Sequence, residues 1–303
     1  MKVLISGGSG LVGTALSNAL RADSHIVAHL VRPGGTAARG DVGWNPLTAQ
    51  VDLQAMEGYD AVVHLSGASI AGGRWTAKRK AILRSSRVDS TRVLVDALAH
   101  LKQAPRVFVC ASATGYYGNR GDEVLTESSG HGSDFLALLC RAWEGEAGRA
   151  ASGGMRTVIA RFGIVLSTEG GALAHMLTPF RMGAGGRLGS GRQWMSWIAL
   201  EDAVRVLRAA MDDTRWTGPV NLVAPEPVRN SDFTRVLASV LHRPAILPAP
   251  GIALRLALGE MAGALLLASQ RVQPERLIKG GFAFRYENLE AALHAILAKG
   301  AGT

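Results

Sequence analysis

The sequence predicts an α/β protein: a doubly wound parallel sheet followed by a smaller, mainly helical C-terminal lobe. Three observations predict it. Short β-rich runs alternate with amphipathic helical stretches through about residue 170, the pattern of a parallel sheet covered by helices on both faces. A glycine-rich turn, Gly7-Gly8-Ser9-Gly10-Leu11-Val12-Gly13, joins the first run to the first helix. Past Pro248 the apolar residues, among them Leu254, Leu258, Met261 and Leu265, recur at three- and four-residue steps, which is helical periodicity. At 303 residues the chain exceeds one minimal domain, and the expected division is a sheet domain over 1–225 and a helical domain over 248–297.

The first strand, Lys2–Ser6, starts the chain without the charged and apolar sections of a signal peptide. The glycine turn follows at once and opens a helix over 12–22. In such a turn Gly7 permits the tight reversal and Gly10 lets backbone approach a pyrophosphate. Gly13 lets helix and strand pack closely, while the helix N-terminus at Leu11 and Val12 favours phosphate charge. A Rossmann dinucleotide site is the expectation.

The second strand, Ile26–Val31, ends on Arg32-Pro33-Gly34, where an NAD site would place a carboxylate against the ribose hydroxyls. Arg32 offers instead a planar, permanently charged fork suited to a 2′-phosphate, so the expected cofactor is NADP(H), with Val31 and Arg32 at the adenosine end. The alternative is that Arg32 is a solvent-facing loop residue.

The third strand, 61–65, leads into Ser66-Gly67-Ala68, and Leu65, Ser66 and Gly67 are expected to line the ribose and pyrophosphate. His64, inside an apolar run, reads as a core histidine. A long helix over 76–99 carries Arg87, placed either on the cofactor phosphates or in solvent. Strands at 106–110 and 157–160 flank a helix over 134–150. Arg161, after the last of these strands, faces the nicotinamide side or a ligand carboxylate. Beyond Gly163 the alternation weakens, and residues 182–193 form a glycine-rich loop expected on the substrate side.

The glycine turn, the Asp60-to-Ala68 strand end, Ser112-Ala113-Thr114-Gly115-Tyr116-Tyr117-Gly118 and Trp197-Ile198-Ala199-Leu200-Glu201-Asp202-Ala203 together resemble the extended short-chain dehydrogenases/reductases, the NAD-dependent epimerase/dehydratase group. Gly189-Ser190-Gly191-Arg192-Gln193-Trp194 and the tail resemble those epimerase-family proteins that carry a C-terminal helical domain. In typical members a Tyr and a Lys four residues apart move the proton and hold the nicotinamide ribose. With register taken from Glu144, that pair here becomes Leu136 and Cys140. The resemblance thus implies cofactor binding and puts the usual proton chemistry in doubt. The substitutes open to the chain are Ser112, Thr114, Tyr116 and Tyr117, each with packing as its alternative; Cys140 reads as a small buried group.

Hydrophobic residues at 48% and charged residues at 19% exclude a disordered chain. The net charge of +9 is spread along the chain, the densest patch being Lys78-Arg79-Lys80 with Arg84 and Arg87, so no nucleic-acid partner is expected. Cys110 and Cys140 are the only cysteines and have no metal-ligand spacing, which predicts no metal and a reducing, cytoplasmic setting. The greasy stretch 252–267 is broken by Arg255 and Glu260 and reads as a packed helix, not a membrane span. The expectation is an NADP(H)-dependent oxidoreductase or epimerase-like enzyme, monomeric or homodimeric, with an undetermined small polar substrate. Trp194, Trp197, Arg187 and Arg192 would stand on its substrate side. The alternative is a non-catalytic NADP(H) sensor.

Overall fold

The computed structural model describes residues 1–300. The chain opens β1 (Lys2–Ser6), α1 (Leu11–Ala22), β2 (Ile26–Val31) and a short hairpin of β3 (Val42–Asn45) and β4 (Gln50–Val51). β5 (Ala61–His64) precedes α2 (Ala77–Arg84), which passes through a π-helical turn at Ser85–Asp89 into α3 (Ser90–Ala99). β6 (Val107–Ala113) ends in a 3₁₀ turn, Thr114–Tyr117, followed by β7 (Val124–Leu125), α4 (Phe135–Ser152) and β8 (Arg156–Phe162). Then come β9 (Ile164–Leu166), α5 (Gly171–Arg181), β10 (Trp194–Met195), β11 (Trp197–Ala199), α6 (Leu200–Asp212), β12 (Gly218–Leu222), β13 (Val228–Arg229) and α7 (Asn230–Leu241). The tail holds α8 (Gly251–Leu258), a π turn at Ala262–Leu266, β14 (Arg271–Val272), α9 (Glu275–Lys279) and α10 (Leu289–Gly300).

Eight strands form the main sheet in the order β12-β8-β6-β5-β1-β2-β3-β4. Every pairing is parallel except β3 with β4. From β1 the chain winds outward through β2 and β3, then returns to build β5, β6, β8 and β12 on the other side. The reversal between β1 and β5 opens a crevice at the carboxyl ends of the strands, where ligands of such sheets bind.

Alternation along the strands sends side chains to opposite faces. Leu4, Val62 and Phe108 pack with Leu94, Leu98, Leu139 and Trp143 of α3 and α4. Val3, Ile5, Val63, Val109 and Val158 pack with Leu16 and Leu20 of α1 and Ala203 and Leu207 of α6. Thr76 and Asp134 cap α2 and α4 by accepting the backbone N–H groups of Arg79 and Ala137, as capping hydroxyl and carboxylate groups do.

The alternation expected to fade after Gly163 in fact continues through α6 and β12. β12, Gly-Pro-Val-Asn-Leu, hides its pattern because Pro219 and Asn221 are poor strand formers, yet it pairs in register with β8. The tail is mainly helical, with β14 pairing to β7 over two residues. Its apolar side chains are shared among clusters: Leu258, Met261 and Leu265 pack with Trp75, Phe135, Leu136 and Tyr116. Leu277 joins the α1–α6 face, and Leu289, Ala292 and Leu293 join Phe233, Leu237 and Trp197. Among the described residues no helix is long and apolar enough to cross a membrane.

Candidate functional site

The glycine turn sits at the crevice. Gly7 has φ +76°, and a Cβ there would fall 2.8 Å from the Ser66 backbone nitrogen; one on Gly13 would fall 2.2 Å from the Gly7 carbonyl oxygen. Both positions admit only glycine because the strand ends and the helix start are pressed together. The Gly10 N–H donates to the Gly7 carbonyl, and α1 begins at Leu11 with no side-chain cap and no acidic residue in its first turn. Its first N–H groups, Leu11 and Val12 included, therefore lack the intrahelical partner they would have further along, the arrangement that attracts an anion. A pyrophosphate fits this cradle.

Leu65 and Ser66 pass directly over Gly7, and the Leu65 N–H donates to the Ser6 carbonyl, extending β5 toward the turn. Val31 and Arg32 lie at the end of neighbouring β2, whose Leu30 pairs with Ser6. Arg32 is exposed, and among the described residues no hydrogen bond or ion pair engages its guanidinium. Arg87, from the π turn between α2 and α3, points under the Gly67 strand end: it donates to the Ala68 carbonyl at 3.0 Å, and its guanidinium lies 5.4 Å from the Trp143 ring centroid. Burial lowers its pKa, and the Cys140 thiol is among its electrostatic neighbours. Arg87 is thus a mostly buried cation, not a solvated helix charge.

The end of β6 carries a polar network. The Ser112 hydroxyl donates to Glu144 Oε1 at 2.6 Å, while Arg161 grips the same carboxylate through Nε at 2.9 Å and Nη2 at 2.7 Å. The remaining guanidinium nitrogen donates to Tyr117 Oη at 2.9 Å, and that hydroxyl donates to Asn221 Oδ1 at 2.7 Å. Arg161 also covers the Tyr116 ring, 3.6 Å from its centroid. The structure therefore turns Arg161 inward onto Glu144 and Tyr117. Tyr117 is wholly buried, and burial pushes its hydroxyl up to about 12, opposite to the lowering an acid catalyst at neutral pH needs. Tyr116 is half-buried, edge-on to His131. Thr114 donates to Gln270 Oε1 at 3.0 Å.

Leu136 and Cys140 face this network from α4, both buried; Leu136 packs against Gly115, and burial pushes the Cys140 thiol up to about 12. Neither supplies an acid or base. Glu144 is the residue that sequence reasoning used only as a register mark. Its signal was available: it lies eight and four residues after Leu136 and Cys140, on the same helical face, a carboxylate on a stripe otherwise apolar. His64 is a core residue, its Nδ1 2.6 Å from the Ser6 hydroxyl and its Nε2 unpartnered.

On the expected substrate side, Trp197 is corrected to a core residue: it is fully buried, and its indole N–H donates to the Glu226 carbonyl. Its position inside the Trp197–Ala199 strand, paired with Ile164–Leu166, explains this. Trp194 is half-buried and donates to Asp122 at 2.9 Å. The glycine-rich segment 182–193 is tied to the tail by backbone bonds from Gly189 N to Ala249 O, Ala249 N to Arg187 O and Leu247 N to Gly185 O. Among the described residues no three His, Cys, Asp or Glu side chains cluster to hold a metal.

Comparison with known proteins places the fold in a family. Residues 3–222 match the NAD dependent epimerase/dehydratase family and residues 249–296 a domain of unknown function, DUF1731. Epimerase family protein Mb2239 of Mycobacterium bovis is 45% identical over 96% of this chain and 96% of its own. Epimerase family protein YfhF of Bacillus subtilis is 38% identical over 98% of each. The crystal structure of human epimerase family protein SDR39U1 with NADPH superposes with TM-score 0.90 at 32% identity, covering 98% of this chain and 99% of that one. A glycine turn between β1 and α1, a Rossmann sheet and matches along nearly the whole length lead to one assignment: the chain belongs to the NAD dependent epimerase/dehydratase family.

Proposed function

We propose that this protein is an NADP(H)-dependent oxidoreductase or epimerase-like enzyme of a small polar metabolite, in which Ser112 and Glu144 replace the Tyr-Lys pair. The observation that carries the reading is the 2.6 Å hydrogen bond from Ser112 to Glu144, at the sheet edge where the resemblance places the nicotinamide. Bound NADP(H) supplies hydride transfer, and the protein supplies binding, orientation and proton management. Gly7, Gly10 and Gly13 with the first N–H groups of α1 hold the pyrophosphate; Arg32 meets the 2′-phosphate on the β2 side of the turn, and Leu65, Ser66 and Gly67 line the dinucleotide on the β5 side. Arg87, beside Cys140, provides a cation close to the position that the usual lysine would occupy. The human relative solved with NADPH supports the cofactor choice.

Because the Ser112 proton is committed to Glu144, the Ser112 oxygen is left with lone pairs to accept a substrate hydroxyl. In the oxidative direction the substrate O–H proton passes to Ser112 Oγ as the Ser112 proton passes to Glu144. The reductive direction reverses both transfers. Arg161 fixes the carboxylate for this task, and Thr114 and Tyr116 shape the surrounding wall.

The test is oxidation of NADPH across a metabolite panel. Ser112→Ala and Glu144→Gln should each slow a substrate found this way by at least about tenfold, about 1.4 kcal/mol of transition-state stabilisation, with NADPH affinity kept in Ser112→Ala. A second reading, a non-catalytic NADP(H) sensor, is favoured by Leu136 and Cys140 standing where proton donors usually stand. NADPH binding without turnover across the panel would select it.

A further inference from the structure

A second cleft, of about 510 Å³, opens between the glycine-rich segment and α8. Arg192, Arg229, Arg255, Ser190, Ile252 and Leu267 line it, and Asp122 is its one acidic group. Its volume falls within the range of small-molecule sites. The charges are unbalanced: Arg229 pairs with Asp122 at 2.9 Å, while among the described residues no carboxylate pairs with Arg192 or Arg255. The guanidinium groups of Arg229 and Arg271 both lie over the Trp194 ring, 4.4 and 4.6 Å from its centroid. Arg271 has a buried Nε without a hydrogen-bond partner. Three guanidinium groups lining the cleft with one carboxylate leave a local positive field, which an oxyanion would neutralise through charge-assisted hydrogen bonds.

The cleft also has an apolar side. α8 buries none of its eight residues, and its Ile252 and Leu256, one turn apart, are each 73% exposed. An unpacked aliphatic face beside unpaired guanidinium groups suits a molecule with an anionic head and a hydrocarbon body better than it suits a simple ion. Ser269, on the cleft wall and donating to the Gly121 carbonyl beside it, is followed by Gln270, which accepts the Thr114 hydroxyl. The cleft and the carboxyl edge of the sheet are therefore joined by consecutive residues.

We propose that this cleft binds an amphiphilic organic anion, an aliphatic chain ending in a carboxylate or phosphate, with Arg192, Arg229 and Arg255 on the head and Ile252 and Leu267 on the chain. The site stands independently of the oxidoreductase reading. Calorimetric titration with octyl phosphate, octanoate and inorganic phosphate, below micelle-forming concentrations and at fixed ionic strength, tests it on the protein with and without NADPH. One of the two octyl ligands should bind at one-to-one stoichiometry and more tightly than inorganic phosphate, and which one does so identifies the head group. The exposed pair Arg192→Gln/Arg255→Gln should weaken it at least tenfold, and Ile252→Ser should weaken the octyl ligand several-fold while sparing inorganic phosphate. The proposal is overturned by absence of saturable octyl binding, by equal affinity in the arginine variant, or by displacement of NADPH. Binding to phosphatidylglycerol vesicles alone, with no soluble amphiphile bound, would overturn it in favour of a membrane surface. NADPH affinity is read in its own titration, so failure of one reading leaves the other standing.

Discussion

Arg161 and Glu144 meet through two parallel hydrogen bonds, 2.9 and 2.7 Å, with both side chains almost wholly removed from solvent. An ion pair in that setting is held by mutual satisfaction, because either charge left alone would carry its full desolvation penalty. Glu144→Ala or Arg161→Ala is expected to lower stability by about 3–5 kcal/mol. The joint replacement of both by methionine should lie closer to wild type than either single alanine change. Urea denaturation of these proteins and of the double alanine variant checks this; a double alanine loss equal to the sum of the two single losses would mean that the pair is not coupled.

Arg32 is exposed at the end of β2 with no protein partner among the described residues, so its charge is available for ligand. A charge-assisted contact with a 2′-phosphate is worth about 1.5–3 kcal/mol. Arg32→Ala should accordingly remove most of a preference for NADPH over NADH while leaving NADH affinity nearly unchanged. Fluorescence titration with both cofactors decides it, and equal wild-type affinities would end the assignment.

His64 lies among Trp44 and Phe108, and burial pushes its pKa down to about 3 from an ordinary 6.5. The sign follows from linkage: the unfolded chain takes up the proton first, so the neutral buried imidazole contributes full stability above pH 6.5. That contribution is lost progressively as pH falls from 6.5 toward 3, at up to about 1.4 kcal/mol per unit. His64→Phe should flatten the fall in urea midpoint between pH 6.5 and 4.5, with Ser6 retaining Ser66 as a partner at 3.3 Å. An unchanged slope in the variant would assign acid sensitivity elsewhere.

The sheet and the glycine turn at its crevice were legible because their signals are local. Lys2–Ser6 and Ile26–Val31 are short β-rich runs with observed limits equal to those read from sequence. The Gly7-to-Gly13 spacing needs no distant partner to be recognised. What escaped was non-local. Glu144 acquires meaning only when α4 brings it against Ser112 and Arg161 from two different strands, and Trp197 looked available until β11 paired with β9. β12 was hidden by its own Pro219 and Asn221, residues that the neighbouring β8 and the Tyr117 hydroxyl make tolerable.

The position of Cys140 yields the last prediction. Its thiol is fully buried, and burial together with the nearby Glu144 carboxylate pushes its pKa up to about 12, which leaves essentially no thiolate at neutral pH. Cys110 is likewise fully buried, and burial raises its pKa as well. The folded protein should therefore resist a thiol reagent such as iodoacetamide until urea unfolds it, with both cysteines then reacting together. Cys140→Ala should leave turnover intact, since no step passes through sulfur. Cys140→Lys, which restores the residue type found in typical family members, is expected to fail, because Arg87 already places a buried cation beside that position. An ammonium there meets the like charge of the Arg87 guanidinium at low dielectric, so the variant should lose stability and gain no rate, even combined with Leu136→Tyr. Turnover in that double variant above the wild-type rate would overturn this expectation.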